Sequence, residues 1–185
     1  MSSSYHNTIN DFDPGNFLSS FFRTAKAVLF SPRSFYQGMR NEGGIRNPFI
    51  FLTCCALTHT VFVGLTIKKG VIIALSLCNG LVMPFITAWI LYIIVTGLFK
   101  GSGTYEAAFR VIAYSAATAL ISWVPLGGFV LEFYRLYMIA FGLSYVFSVK
   151  FSKTLLAVGI TVVIYVVVFS LLNIMTGTPG PKTVT

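Results

Sequence analysis

The chain opens polar, turns amphipathic, and then alternates long apolar runs with short polar breaks. Residues 1–16, MSSSYHNTINDFDPGN, hold no apolar run or cleavage site, so they read as a flexible cytoplasmic N-terminus and not as a signal peptide. From Phe17 to Phe30 the apolar residues Phe17, Leu18, Phe21, Phe22, Ala25, Val28 and Leu29 recur at steps of one, three and four, which predicts an amphipathic helix with Arg23 and Lys26 on its other side. That segment is too short and too cationic to cross a bilayer. Two placements follow: an interfacial helix with Phe17, Phe21, Phe22, Arg23 and Lys26 against an anionic leaflet, or a helix packed beneath the spans of its own bundle. Ser31-Pro32 then predicts a second short helix, capped by Ser31, with Phe35, Tyr36 and Met39 on its apolar side and Gly43-Gly44 as its stop.

Five apolar runs come next, at about residues 48–67, 71–99, 107–124, 129–149 and 154–175. A run of about 20 apolar residues matches a hydrocarbon core of about 30 Å. The second run is longer than that, so it must tilt, kink or protrude, and Pro84 is the expected kink. Lys68-Lys69-Gly70, Lys100 to Thr104, Pro125 to Gly128 and Lys150 to Lys153 are the turns, with Thr104 placed to cap the third helix. The predicted fold is all-α: a polytopic membrane helix bundle of five transmembrane helices over residues 47–176. Amphipathic, interfacial helices at 17–46 precede it, and a disordered tail at 177–185 follows it.

Composition sharpens this picture. Hydrophobic residues make up 56% of the 185 and charged ones only 10%, too few to cover a soluble surface. The net charge of +8 would suggest nucleic acid in a soluble protein, but the cations flank the apolar runs and no basic-aromatic module is present, so phospholipid is the expected anionic partner. Arg23, Lys26, Arg33, Arg40, Arg46, Lys100, Arg110, Lys150 and Lys153 fall on one side of a five-span topology; Lys68, Lys69 and Lys182 fall on the other. The positive-inside rule therefore predicts a cytoplasmic N-terminus and an external C-terminus. Cys54, Cys55 and Cys78 lie within apolar runs and read as small packing residues, not disulfides.

The stretches LFSPRSFYQGMRNEGGIRNPFIFL (29–52), GTYEAAFRVIAYSAATALISWVPLGG (103–128) and GLSYVFSVKFSKTLLAV (142–158) resemble the Yip-domain family, five-span membrane proteins named for interacting with Ypt/Rab GTPases. The motif residues are Pro32, Phe35, Tyr36, Gly43, Gly44, Pro48, Tyr114, Pro125 and Gly127, and the opening motif is most similar to bacterial members. Thr118 stands where members often carry a proline, and Tyr145 to Phe147 lack their charged and histidine residues. The resemblance implies a five-span fold and, from eukaryotic relatives, a role in trafficking or membrane shaping. It implies a bacterial cytoplasmic membrane as the location, with Golgi or endoplasmic reticulum as the alternative.

Chemistry-bearing residues are few. Glu132 and Arg135, three apart in the fourth run, share a helix face and can pair. Ionisable groups within a span propose a functional site, against the alternative that both snorkel to the nearby turn. His59 lies four residues after Cys55, with Cys78 and Asn79 on the next helix within reach; a hydrogen-bonded core histidine is the commoner outcome, and no metal-ligand spacing is present. Glu106 and Arg110 read as an interfacial ion pair, and Tyr114 and Ser115 as interhelical hydrogen-bonding groups. Gly80, Gly97, Gly142 and Gly159 are expected at close helix approaches. With only five acidic residues and no nucleophile, base and orienter together, no enzyme or cofactor is expected. Two functions compete: a non-enzymatic membrane-organising or adaptor protein that oligomerises or docks a membrane partner, and a small channel, transporter or transporter subunit with a polar path around Glu132, Arg135, His59 and Asn79.

Overall fold

The computed structural model describes residues 12–39, 44–121 and 128–176, and every regular element among them is helical. A single 3-10 turn, Pro14–Asn16, leads into α1 (Phe17–Phe30) and α2 (Pro32–Gly38). The helices that follow are α3 (Arg46–Ile67), α4 (Gly70–Gly97), α5 (Tyr105–Ser115), α6 (Gly128–Val146) and α7 (Phe151–Thr176).

Among the described residues, four helices are long and apolar enough to cross a membrane: α3, α4, α6 and α7. Their outward faces carry Leu57, Val61, Ile86, Trp89, Val163 and Val166 exposed, a surface tolerable only in lipid. The run Thr161–Val168, rich in β-branched residues, would read as a strand in water, yet it lies within α7. In hydrocarbon only a helix satisfies every backbone group within the segment. Threonines are accommodated by the same logic: Thr53, Thr58, Thr66, Thr87, Thr96 and Thr161 each donate to the carbonyl four residues back, which satisfies these six hydroxyl protons within their own helices.

The third pass, expected as a span over 107–124, changes form along its length, and residues 122–124 lie outside the described ones. Helix α5 stops at Ser115 and tightens into a 3-10 turn over Ala116–Leu120. Eleven α-helical and five 3-10 residues rise about 26 Å, slightly under a hydrocarbon core. Ala107 through Thr118 are all buried, so this is the central strut of the bundle, ringed by α3, α4 and α6 instead of facing lipid. Thr104 caps it, accepting a hydrogen bond from the Ala107 N–H at 3.2 Å.

Backbone bonds tie the helix ends together. Ser102 N–H donates to the Phe147 carbonyl at 3.2 Å, and Gly101 N–H to the Val95 carbonyl at 3.0 Å. The starts of α3, α5 and α7 thus share one end of the bundle with the C-termini of α4 and α6; the α3–α4 turn, with Lys68 in the left-handed conformation at φ 54°, marks the other.

Helix α1 is docked on the bundle. Its inner face is Ser20, Thr24, Ala25 and Val28, each at most 6% exposed, while Leu18, Phe22, Phe30, Arg23 and Lys26 face outward. Phe21 packs on Phe51 at 5.2 Å between ring centroids, and Tyr134 of α6 donates its hydroxyl to the Leu29 carbonyl at 2.7 Å. Of the N-terminal segment expected to be flexible, Phe12 is a core residue: it lies against Phe17 and Phe51, and its N–H donates to the Tyr114 hydroxyl at 3.3 Å. Ser31 makes no side-chain cap; it closes α1 through its own N–H to Ala27 and leaves Pro32 to start α2. Of the four glycines expected at helix crossings, Gly142 and Gly80 meet neighbours, Val111 with Tyr36 and Ala56 respectively, whereas Gly97 and Gly159 meet nothing. Helix α4 continues as one 28-residue helix through Pro84.

Candidate functional site

Two polar constellations stand out in this apolar bundle. The first sits where α3 and α5 begin. Gly44 adopts φ +82°, a conformation in which only glycine is unstrained, and α5 grips both of its polar backbone groups. Gly44 N–H donates to Glu106 Oε1 at 2.6 Å, and Arg110 Nη1 donates to the Gly44 carbonyl at 3.1 Å. Glu106 and Arg110 are one helical turn apart, so a single face of α5 presents an acceptor and a donor to one residue. Arg110 is 1% exposed, and a guanidinium that deeply desolvated is held only where acceptors are fixed around it. The spacing of the two residues was legible in the sequence; their common purpose, clamping the turn before α3, was not.

The motif residues around this turn are structural. Pro32 opens α2; Phe35 and Tyr36 are fully buried, with the Phe35 ring 5.1 Å from Tyr114 and the Tyr36 hydroxyl donating to the Val111 carbonyl at 3.4 Å. Burial pushes the Tyr36 phenol well above its ordinary range, so it stays a protonated donor. Pro48 is buried in the first turn of α3. Gly43, Pro125 and Gly127 lie outside the described residues, as do Arg40, Lys182 and the 177–185 tail. Both Tyr114 and Ser115 were expected to bond between helices; the Tyr114 hydroxyl accepts from the Phe12 N–H ahead of the first helical turn, and Ser115 bonds within its own helix, donating to the Ile112 carbonyl at 2.7 Å.

The second constellation gathers residues from three helices. Glu132, Arg135, His59 and Asn79 line one cavity of about 310 Å³ between α3, α4 and α6. Its floor is Ala116, Thr118 and Ala119, where the central strut has tightened into its 3-10 turn. Gly80 and Pro84 of α4 belong to its wall; Pro84 has no N–H, so the Gly80 carbonyl loses its usual helical donor beside the cavity. Arg135 Nη1 lies 3.6 Å from Glu132 Oε1, a loose contact one turn along α6, and Arg135 Nε is buried without a hydrogen-bond partner. Ser76 and Met83 also line it and carried no sequence signal. Cys78 is exposed and turned away from this cavity's lining, and among the described residues no three His, Cys, Asp or Glu side chains converge as metal ligands do.

Of the residues expected against lipid, Phe17 and Phe22 are 42% and 66% exposed and Arg23 and Lys26 lie on the surface, whereas Phe21 is turned inward onto Phe51. About one to two turns further along α4 and α6, Ala88, Leu91, Met138, Ile139 and Leu143 are each at most 3% exposed.

No curated protein and no solved structure matches the chain. The Yip1 domain, in contrast, matches residues 26–172, which takes in everything from the second half of α1 to the last turns of α7, the Gly44 clamp and the polar cavity included. The chain belongs to the Yip1-domain family of membrane proteins.

Proposed function

We propose that this Yip1-family membrane protein is a non-enzymatic organiser of the bilayer, acting through the outward face of α1 and by assembling with further copies or a membrane partner. One observation carries the reading. Helix α1 is bolted to the spans by small residues, Ser20, Thr24 and Ala25, and so holds Leu18, Phe22 and Phe30 outward beside Arg23 and Lys26. A rigidly mounted face of bulky apolar residues and cations is suited to the boundary between headgroups and acyl chains, where both are stabilised. Cation count favours an N-terminus on the cytoplasmic side, and the likeness to bacterial members favours a bacterial cytoplasmic membrane. A channel or transporter path around Glu132 and Arg135 is favoured by the cavity but opposed by the apolar side chains of Leu91, Ile139 and Val158 that line the space continuing from it.

Removing residues 17–30 would be a poor test, because Ala25, Val28 and Phe21 also form core. The combined substitution Phe22→Ser, Arg23→Glu, Lys26→Glu leaves the inner face intact. Reconstituted at high density into vesicles with about a third anionic lipid, the native chain is expected to remodel vesicle shape in electron micrographs, and the variant to leave vesicles spherical while keeping native helix content. Equal remodelling by both would sink the proposal.

A further inference from the structure

Arg135 stands where two cavities meet. Beyond the one it shares with His59, a second of about 310 Å³ runs between α4, α6 and α7, and Asn79, Met83, Glu132 and Arg135 line both. This second space is graded. Its polar end is Asn79, Glu132 and Arg135; its far end is Leu91, Ile139 and Val158, and the hydroxyls of Thr87, Tyr165 and Thr161 on its walls are already engaged, the first two with each other and Thr161 with the Ala157 carbonyl. From Asn79 to Leu91 the wall of α4 extends about 18 Å at the helical rise, the scale of an extended acyl chain. Val162 and Phe169, which belong to its α7 wall, are 38% and 50% exposed on the lipid-facing surface, so the groove opens sideways into the bilayer.

The charges at the polar end narrow the occupant. Arg135 and Glu132 are opposite in sign and only loosely paired at 3.6 Å, and Arg135 Nε has no acceptor. An unsatisfied buried donor is costly, and a charged one more so. A ligand anion alone would satisfy Arg135 but leave the site net negative beside hydrocarbon; a cation alone would do the reverse. A headgroup carrying both charges satisfies each partner and keeps the site neutral, an advantage where these side chains, 32% and 59% exposed on the protein, face hydrocarbon instead of water. We infer that this groove binds a zwitterionic phospholipid with a primary ammonium, of the ethanolamine class. Its phosphate faces Arg135 and Asn79, its ammonium donates to the Glu132 carboxylate, and one acyl chain lies along Leu136, Ile139 and Val158. A primary ammonium offers three donors to a carboxylate where a quaternary one offers none. The inference is independent of the α1 reading, since none of the α1 residues lines the groove.

The test is competition on the delipidated, detergent-purified full chain, read by intact-complex mass spectrometry with equimolar palmitoyl-oleoyl phosphatidylethanolamine, phosphatidylcholine and phosphatidylglycerol. The ethanolamine lipid is expected to be retained at least about fivefold over each of the others, as one charge-assisted hydrogen bond would give. Arg135→Gln and Glu132→Gln should each erase the preference, and Val162→Trp, which fills the groove without touching the charges, should lower retention of all three lipids. Free phosphoethanolamine at millimolar concentration should fail to displace the lipid. Equal retention of phosphatidylglycerol, a preference untouched by both charge variants, unaltered retention in Val162→Trp, or displacement by phosphoethanolamine would each overturn the assignment; circular dichroism of every variant confirms that it is folded.

Discussion

At the scale of single residues, close approach is what small side chains are used for in this bundle. A Cβ on Gly142 would come within 2.7 Å of Val111 Cγ1 and 3.1 Å of the Tyr36 ring, so α2, α5 and α6 meet around a hydrogen atom. Gly142→Ala is therefore expected to destabilise by about 1–3 kcal/mol, the usual cost of overpacking. Val111→Ala removes the opposing methyls and should restore most of that loss in the double variant, which thermal unfolding in detergent can read. Additivity within about 0.5 kcal/mol would mean that the two residues do not oppose each other. Other residue-scale features were only half legible. The left-handed angle at Gly44 follows from the glycine pair, but that Glu106 and Arg110 both serve Gly44 follows from the tertiary approach of α5, which no local spacing reveals.

At the scale of elements, the helices of the sequence are the helices of the fold, yet the direction each one faces was harder to read. Helix α1 shows why. Its periodic apolar stripe is compatible with facing either lipid or the bundle; Phe17, Leu18 and Phe22 point out, Phe21 turns in onto Phe51, and Ser20 and Thr24 point in. In a membrane the surroundings are as apolar as the core, so hydrophobicity stops sorting inside from outside, and small residues that allow close contact take the inner face instead. The third pass hid its surroundings for a related reason: a strut surrounded by protein does not need uniform apolarity, and Arg110 and Thr118 sit buried within it. What holds α1 at its far end is the Tyr134 hydroxyl on the Leu29 carbonyl. Tyr134→Phe should cost about 1 kcal/mol at that joint alone, raising hydrogen exchange of the α1 amides about fivefold while the amides of α3 and α4 stay protected. Uniformly faster exchange throughout the bundle would show that α1 is not a separately mounted element.

At the scale of the whole molecule, the all-helical membrane architecture followed from composition and run length, whereas the polar cavity did not. Glu132, Arg135, His59 and Asn79 were each conspicuous as polar residues in apolar runs, but what brings them together is the narrowing of the central strut at Ala116, a feature of packing. Orientation rests on the same scale. The described end that carries the starts of α3, α5 and α7 exposes Arg46, Lys100, Lys150 and Lys153, and the opposite turn exposes Lys68 and Lys69. Arg110 drops out of that comparison because it is buried on Gly44, and the margin narrows without changing sign. Cations near short turns resist translocation, so the end with four should be cytoplasmic. With Cys54, Cys55 and Cys78 replaced by alanine, Lys69→Cys should react with a membrane-impermeant maleimide on intact cells, and Lys150→Cys only after the membrane is permeabilised. The reverse pattern would invert the bundle, and with it the leaflet into which the groove beside Arg135 opens; labelling of both cysteines on intact cells would mean that the chain inserts in both directions, as a protein with so slender a charge bias can.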